Sequence, residues 1–145
     1  MILTDNWFTA LSENEDGTYT FISGRSGIEA FVESGKLRER LEIAWTYKAD
    51  EKGLPADDAE AQTMEEVGDK LRAAMEKDKL AIVTGIYTGQ GKREINFICR
   101  NIEAFGQRLN DTLASYPQLP IVVNAYDDPD NQEYRDLLEL KGEED

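Results

Sequence analysis

The strongest structural pattern in the chain is the stretch KLRERLEIAWTYK, residues 36–48. Its odd-numbered positions are apolar with one exception, and they include Leu37, Leu41, Ile43, Trp45 and Tyr47. Its even-numbered positions are mostly charged or polar, and they include Arg38, Arg40, Glu42, Thr46 and Lys48. A period of two over this length is typical of a β-strand with one buried and one outward face. We therefore predict a strand over 36–48 whose odd-numbered side chains enter the core.

Two shorter β-rich runs and a short amphipathic segment precede this strand. Residues 6–12 and 18–24 are separated by a polar break that ends in Asp16 and Gly17, which predicts a β-hairpin. The apolar residues that follow are spaced by three and four positions, and this spacing predicts a short helix over 27–34.

The second half of the chain alternates between helical and strand patterns. Asp57 is a suitable N-cap, and Glu60 follows three residues later as in a capping box. Asn101 is expected to cap a second helix in the same way. The predicted helices cover 57–77, 102–116 and 133–140, and the predicted strands cover 79–88, 92–100 and 119–126.

The order of these elements predicts an α+β fold. After the hairpin and short helix, the chain runs β-α-β-β-α-β, which is the ferredoxin-like split βαβ unit. We expect its first and third strands to be central parallel neighbours and both of its helices to cover one face. The whole chain, 1–145, is then a single domain. Its parts are an N-terminal extension (1–35), the ferredoxin-like core (36–126), and a short helix with an acidic tail (127–145).

Composition excludes several classes of site. The 145 residues include no histidine and only one cysteine, Cys99. Catalysis by a Ser-His-Asp or Cys-His group requires an imidazole, and a typical zinc site requires several thiolates or imidazoles. A disulfide within the chain is excluded for the same reason, and Cys99 is expected to be a small buried apolar residue. No cofactor or metal site is predicted.

The charge distribution points to the kinds of partner the chain could bind. The net charge is -14, and it is concentrated in 50–78 (10 acids, 4 bases) and 127–145 (9 acids, 2 bases). These stretches are either solvated faces or docking surfaces for a basic protein partner. The negative charge disfavours nucleic acid. The chain shows no apolar run of membrane-spanning length and no leader pattern, so a cytoplasmic location is expected.

The outward face of the predicted sheet is the candidate binding surface. Seven residues are candidates for it, namely Arg38, Arg40, Lys48, Lys92, Arg93, Asn96 and Arg100. Glu42 and Glu94 lie among them. Such a face is either ordinary cross-strand charge pairing or a recognition surface. It would disappear if the N-terminal hairpin folded over it.

Two local motifs have both a functional and a structural interpretation. The run Thr88 to Lys92 resembles a phosphate loop, but its glycines join two predicted strands, as in a hairpin turn. Asp127, Asp128 and Asp130 could hold a hard cation or could start the last helix.

Several phrases together resemble the bacterial domain-of-unknown-function family numbered 695. They include WTY at 45–47, GLP at 53–55, TGIYTG at 84–89 and Asp128-Pro129 followed by Tyr134. The resemblance covers about residues 36–136 and implies no established activity. It marks Trp45, Tyr47, Tyr87, Asp128 and Tyr134 as family-like positions. The family's domain is sometimes found beside acidic, ferredoxin-like regulators of ribonuclease E that act by binding protein.

The sequence therefore favours a small, acidic protein-binding or regulatory domain without catalysis. The alternative is a small-ligand binder or an enzyme that uses carboxylates with Arg38, Arg40 or Arg93 in a cleft. The oligomeric state is open.

Overall fold

A computed structural model describes residues 3–128 and 130–141. Within these residues the chain forms six strands and four helices. The strands are β1 (Asn6–Glu13), β2 (Tyr19–Ser26), β3 (Glu39–Thr46), β4 (Ala81–Gly89), β5 (Lys92–Cys99) and β6 (Ile121–Asp127). The helices are α1 (Glu29–Glu33), α2 (Asp58–Glu76), α3 (Ile102–Thr112) and α4 (Gln132–Glu139). Most of the predicted acidic tail, residues 142–145, lies outside the described residues.

The strands form one antiparallel sheet in the order β1-β2-β4-β5-β3-β6. The α+β prediction is confirmed, but the ferredoxin-like arrangement is not. The first and third strands of the predicted unit, β3 and β5, are neighbours, yet they run antiparallel and not parallel. The β1–β2 hairpin, which was predicted as an extension, continues the same sheet beside β4.

Helices α2 and α3 cover the odd-numbered face of β3 and β5. Leu41, Ile43 and Trp45 are all buried there, together with Met64 and Leu71 of α2. This confirms the prediction for the odd-numbered residues 41–47, whereas Leu37 lies before β3 and packs in the cluster on the other face. Burial of these apolar side chains contributes roughly 1.5–3 kcal/mol each.

The opposite face of the sheet is covered in part by α1 and α4. Phe31 of α1 and Leu137 of α4 pack in a second cluster that includes Ile82 of β4 and Ile98 of β5. Both helices of the predicted unit, α2 and α3, do lie on one face, but the sheet has a second helical layer that the sequence did not predict. Short amphipathic helices do not indicate from sequence which face of a sheet they will join. The hairpin does not fold over this face, because its strands extend the sheet edge.

The cap of α2 and the turn between β4 and β5 can be compared with the sequence predictions. The Asp57 carboxylate accepts a hydrogen bond from the Ala59 N–H at 2.9 Å, so the predicted start of α2 is confirmed. Glu60 does not complete a capping box, because its carboxylate accepts from the Trp45 indole (3.4 Å) and the Lys48 N–H (3.2 Å). Gln90 and the following glycine both have positive φ in the β4–β5 turn, which confirms a hairpin there and not a phosphate loop.

Cys99 lies at the end of β5 and is fully buried. Burial raises the pKa of its thiol, because a thiolate would lose hydration there. The predicted role of a small core residue is confirmed.

None of the four helices in the described part of the chain is long and apolar enough to cross a membrane.

Candidate functional site

The outward face of β3 and β5 carries a connected set of polar side chains, which we call the polar face. Its members come from three strands, the loop after β6, and α4. They are Arg40, Glu42, Tyr87, Glu94, Asn96, Asp128 and Glu133. The set lies on the same face as the apolar cluster beneath α1 and α4, and two of its members, Glu42 and Asn96, are buried.

Arg40 lies at the centre of the polar face. Its Nη1 donates to the Asn96 side-chain oxygen at 2.7 Å, and its guanidinium carbon lies 4.0 Å from the Tyr126 ring centroid. Its Nε faces the Asp128 carboxylate at 3.8 Å, beyond hydrogen-bond range. Arg40 is therefore held by stacking, one hydrogen bond and a long ion pair.

Glu133 ties α4 to the sheet. Its carboxylate accepts hydrogen bonds from the Tyr87 hydroxyl at 3.0 Å and from the Thr84 hydroxyl at 3.5 Å. Burial raises the pKa of Glu133, and its two hydroxyl partners offset only part of that rise. Asp128 caps the same helix by accepting from the N–H groups of Gln132 (2.9 Å) and Glu133 (3.1 Å).

Glu42 and Glu94 form a close carboxyl pair on this face. Burial raises the pKa of Glu94, and the hydrogen bond and negative charge of Glu42 raise it further. Glu42 lies on the outward face with the other even-numbered residues of β3, but it is only 9% exposed. The pair buries it, and Asn124 of β6 donates to it at 3.4 Å.

Of the seven predicted binding residues, the structure brings only Arg40 and Asn96 into direct contact. Arg38 and Lys48 are exposed just outside the two ends of β3, and Lys92 is exposed at the start of β5. Arg100 donates to the backbone oxygens of Lys79 and Asp78, both at 3.0 Å, and so closes the loop after α2.

Arg93 lies on the opposite face of the sheet from Arg40. It shares the odd-numbered side of β5 with Ile95 and Phe97, which face α2. Its inclusion in the outward surface was therefore wrong. The alternation of β5 itself carried this signal, since 93 has the parity of the apolar positions.

The five family-like positions fall in three places. Trp45 and Tyr47 are buried on the helix-covered side, where the Tyr47 hydroxyl donates to the Gly53 oxygen at 2.6 Å. Tyr87 and Asp128 belong to the polar face. Tyr134 is buried under α4, and its hydroxyl donates to the Arg25 backbone oxygen at 2.8 Å.

The groups of the polar face mainly satisfy one another. Both oxygens of Glu133 have hydroxyl donors, and the Asp128 carboxylate caps a helix, which favours the structural interpretation of that aspartate. Residues 3–128 and 130–141 contain no group of three or more acids or thiols placed to hold a metal ion. The polar face therefore acts first as a bridge between the sheet and α4.

Glu133→Gln is expected to stabilise the protein near neutral pH, by on the order of 1 kcal/mol. A carboxyl with a higher pKa in the folded chain than in the unfolded chain binds its proton more tightly when folded. The contribution of Glu133 to stability is therefore complete when the pH is below 4.5, the ordinary pKa of a glutamate. It is lost as the pH rises through the raised pKa of the folded protein. Glutamine keeps an acceptor for Tyr87 without the buried charge.

Urea unfolding of both proteins at pH 7 and pH 4 measures this effect. The advantage of the variant should shrink at pH 4, where Glu133 of the wild type is protonated. An equal advantage at the two pH values would show that ionisation of Glu133 is not its cause.

A groove lies on the other face of the sheet, between α2 and strands β1, β2 and β4. It consists of two adjoining cavities of about 230 and about 320 Å³. Four residues line both cavities, namely Ser23, Glu65, Ile86 and Arg93. We call this feature the groove.

The lining of the groove is mixed, and apolar side chains form part of its floor and one wall. Ile86 and Ile95 form part of the floor, and Trp7 of β1 forms a wall. The Trp7 ring contacts two guanidinium groups, with centroid distances of 5.1 Å to Arg25 and 5.7 Å to Arg72. Cation–π contacts of this kind hold an aromatic wall in place.

An exposed apolar pair extends the groove along the hairpin. Phe21, which lines the second cavity, is 49% exposed, and its cross-strand partner Leu11 is 57% exposed. Neighbouring apolar side chains exposed beside a cavity are typical of interaction surfaces.

The charged groups of the groove are unevenly paired. Arg72 pairs with Asp5 at 2.8 Å. Glu65 and Asp69 are exposed on α2, and within the described residues neither lies within 4.0 Å of a basic nitrogen. Arg93 lies deeper in the groove than these two carboxylates. Burial lowers the pKa of its guanidinium, whereas the negative charges of Glu65 and Asp69 raise it.

The sequence did not predict the groove, because the pairing of β2 with β4 joins segments about 65 residues apart and brings Trp7 and Phe21 beside α2. For the acidic stretch that forms its rim, the sequence left two interpretations open, a solvated face or a docking surface.

Comparison with known proteins supports the resemblance of the sequence to one family. The model described as "Family of unknown function (DUF695)" matches residues 5–139, which is nearly the whole chain. No curated protein and no solved structure shows a significant match. The match begins at Asp5, just before β1, so it extends beyond the 36–136 stretch that the motifs indicated.

Proposed function

The chain belongs to a family of unknown function (DUF695), and from its geometry we propose that it is a non-catalytic protein-binding domain. The groove between α2 and the β1–β2–β4 strands receives a basic, partly apolar segment of a partner protein. The cytoplasmic location predicted from the sequence belongs to the same proposal.

The observation that carries this proposal is the continuity of the groove with the exposed Leu11–Phe21 pair. A segment seated there would cover Phe21, Leu11 and the wall formed by Trp7. Removing such apolar surface from water contributes roughly 25 cal/mol per Å². This is the main attractive force available at an otherwise acidic surface.

The charges of α2 favour a basic segment. Glu65 and Asp69 line the rim with no basic group of the described chain within ion-pair distance, and residues 50–78 carry 10 acids against 4 bases. Opposite charges across an interface speed association and exclude acidic competitors. The net charge of -14 also attracts a basic partner at longer range, before it reaches the groove.

A defined peptide tests the proposal. The probe is an acetylated and amidated hexapeptide of alternating lysine and leucine, with a glutamate-leucine hexapeptide as the opposite-charge control. Binding is followed by NMR through the Trp7 indole N–H, which lies in the groove wall. The basic peptide should shift the Trp7 signal, and the acidic peptide should leave it unchanged.

A charge-matched pair of variants locates the binding. Glu65→Gln with Asp69→Asn should weaken the basic peptide roughly 3- to 10-fold, the scale of two exposed ion pairs. Glu103→Gln with Asp111→Asn removes the same charge from exposed positions on α3 and should have a smaller effect. Equal weakening by both pairs, or no shift at Trp7, would contradict binding in the groove.

The alternative function, a small-ligand binder or enzyme, has one supporting observation on the polar face. Glu94 and Glu133 both have raised pKa values and lie in one network with Arg40, as in many acid–base sites. We rank it second because these groups bind one another. A screen of small polar compounds by NMR that shifted Asn96 and Arg40, and not Trp7, would reverse this ranking.

A further inference from the structure

Arg93 is the one guanidinium that lines both cavities of the groove. In the part of the chain that the structure describes, it forms no ion pair, and its Nε is shielded from solvent without a hydrogen-bond acceptor. Buried polar atoms in proteins nearly always have a partner, so an unpaired one requires an explanation.

The position of Arg93 is fixed by the sheet. Its backbone is paired with Trp45 on one side and with Thr88 on the other, so it lies in an interior strand. The side chain rises from the sheet towards α2, where Gly68 lines the same cavity without a side chain of its own. A rigid backbone below and open space above are what a recognition arginine needs.

The groove has a positive charge at its base and negative charges at its rim. Arg93 is partly buried at the base, and Glu65 and Asp69 are exposed at the rim. A ligand that carries a negative group at its end and positive groups behind it matches this order. An extended peptide with basic side chains before its C-terminus has this arrangement, and a carboxylate matches the planar fork of a guanidinium.

We propose that Arg93 binds the C-terminal carboxylate of the partner segment, so that the groove recognises a free chain end and not an internal loop. This inference rests on the proposed function for its location. Capture of a terminal carboxylate is a recognised mode of peptide binding. The gain comes from pairing a cation that is already partly desolvated in the free protein.

Two versions of one peptide test this inference. The acetylated lysine-leucine hexapeptide is prepared with a free C-terminal acid and with an amide, and both are titrated into the protein at moderate salt. The free acid should bind about 10-fold more tightly to the wild type, which corresponds to about 1.4 kcal/mol. In Arg93→Met the two forms should bind equally, with the amide unchanged from its wild-type affinity.

A third peptide distinguishes the chain end from an acidic side chain. It is the amide with glutamate in place of the last leucine, and it should not regain the affinity of the free acid. Full recovery would overturn the assignment to a terminal carboxylate. Equal binding of acid and amide by the wild type would overturn the role of Arg93 while leaving the proposed function intact.

If no peptide binds, the proposed function is overturned. Small compounds then still test whether Arg93 binds a carboxylate. N-acetyl-leucine and N-acetyl-leucinamide differ only in the carboxylate. The acid alone should shift the Arg93 Nε–H signal in NMR spectra, and Arg93→Lys should weaken that response because lysine lacks the fork. No difference between the two compounds would count against a carboxylate site at Arg93.

Discussion

Arg25→Met is expected to lower the free energy of unfolding by about 3–5 kcal/mol, because it would leave a buried carboxylate without its cation. Arg25 is 1% exposed, and its Nη1 lies 2.6 Å from Glu76 of α2. Its Nε and Nη2 also donate to the Thr4 oxygen at 3.2 and 2.8 Å. One side chain thus joins β2, the N-terminal segment and the end of α2.

Arg72→Met is the matched control for this substitution. Arg72 contacts the same Trp7 ring and pairs with Asp5 at 2.8 Å, but the side chains of that pair are 32% and 67% exposed. Its loss should cost less than about 1 kcal/mol. Urea unfolding of the two variants measures the difference, and similar losses would contradict the importance of burial for the Arg25–Glu76 pair.

Tyr134→Ala is expected to have an effect of similar size, about 3–5 kcal/mol, through loss of packing under α4. Tyr134 is 2% exposed and lies in the apolar cluster with Phe31 and Leu137. Its removal would leave a cavity between α4 and the hairpin strands. Hydrogen exchange of the α4 amides should accelerate more than exchange in α2, because the groove side of the sheet does not depend on Tyr134.

Tyr134→Phe separates packing from hydrogen bonding at the same position. Phenylalanine keeps the ring but removes the hydroxyl that donates to the Arg25 oxygen at 2.8 Å. The expected cost is about 1–2 kcal/mol, the scale of one buried acceptor left unpaired. If the phenylalanine variant were as unstable as the alanine variant, the hydrogen bond and not the ring would anchor α4.

Local features of the fold were predictable because they depend on residues near one another in the chain. The alternation from Leu41 to Tyr47 identified the buried side of β3, and Asp57 identified the start of α2 within one residue. The glycines around Gln90 identified the β4–β5 turn. Each of these signals is a period or a cap that acts over a few positions.

The long-range arrangement was harder to predict because the same local patterns fit several sheets. The hairpin could have stood apart, folded over the sheet or extended it, and its alternating residues suit all three. The register shift between Val83 and Gly85 in β4 moves the side chains after it by one position and cannot be seen in an apolar run. The burial of Arg25 follows from this arrangement, and no local pattern indicated it.

In the candidate site, too, local features were predictable and long-range contacts were not. The acidic rim of the groove was visible in the charge of α2, and Arg40 and Asn96 were placed together by simple alternation. The apolar wall was not predicted, because Trp7 reaches α2 only through the order β1-β2-β4. Arg93 was assigned to the wrong face although its parity with Ile95 indicated the right one.

The burial of Cys99 has a practical consequence for spectroscopy of this protein. Alkylating reagents attack thiolates, and a fully enclosed thiol with a raised pKa offers them almost none at neutral pH. A second cysteine placed on an exposed position, such as Phe21, would therefore accept a fluorophore or spin label selectively without prior removal of the native one.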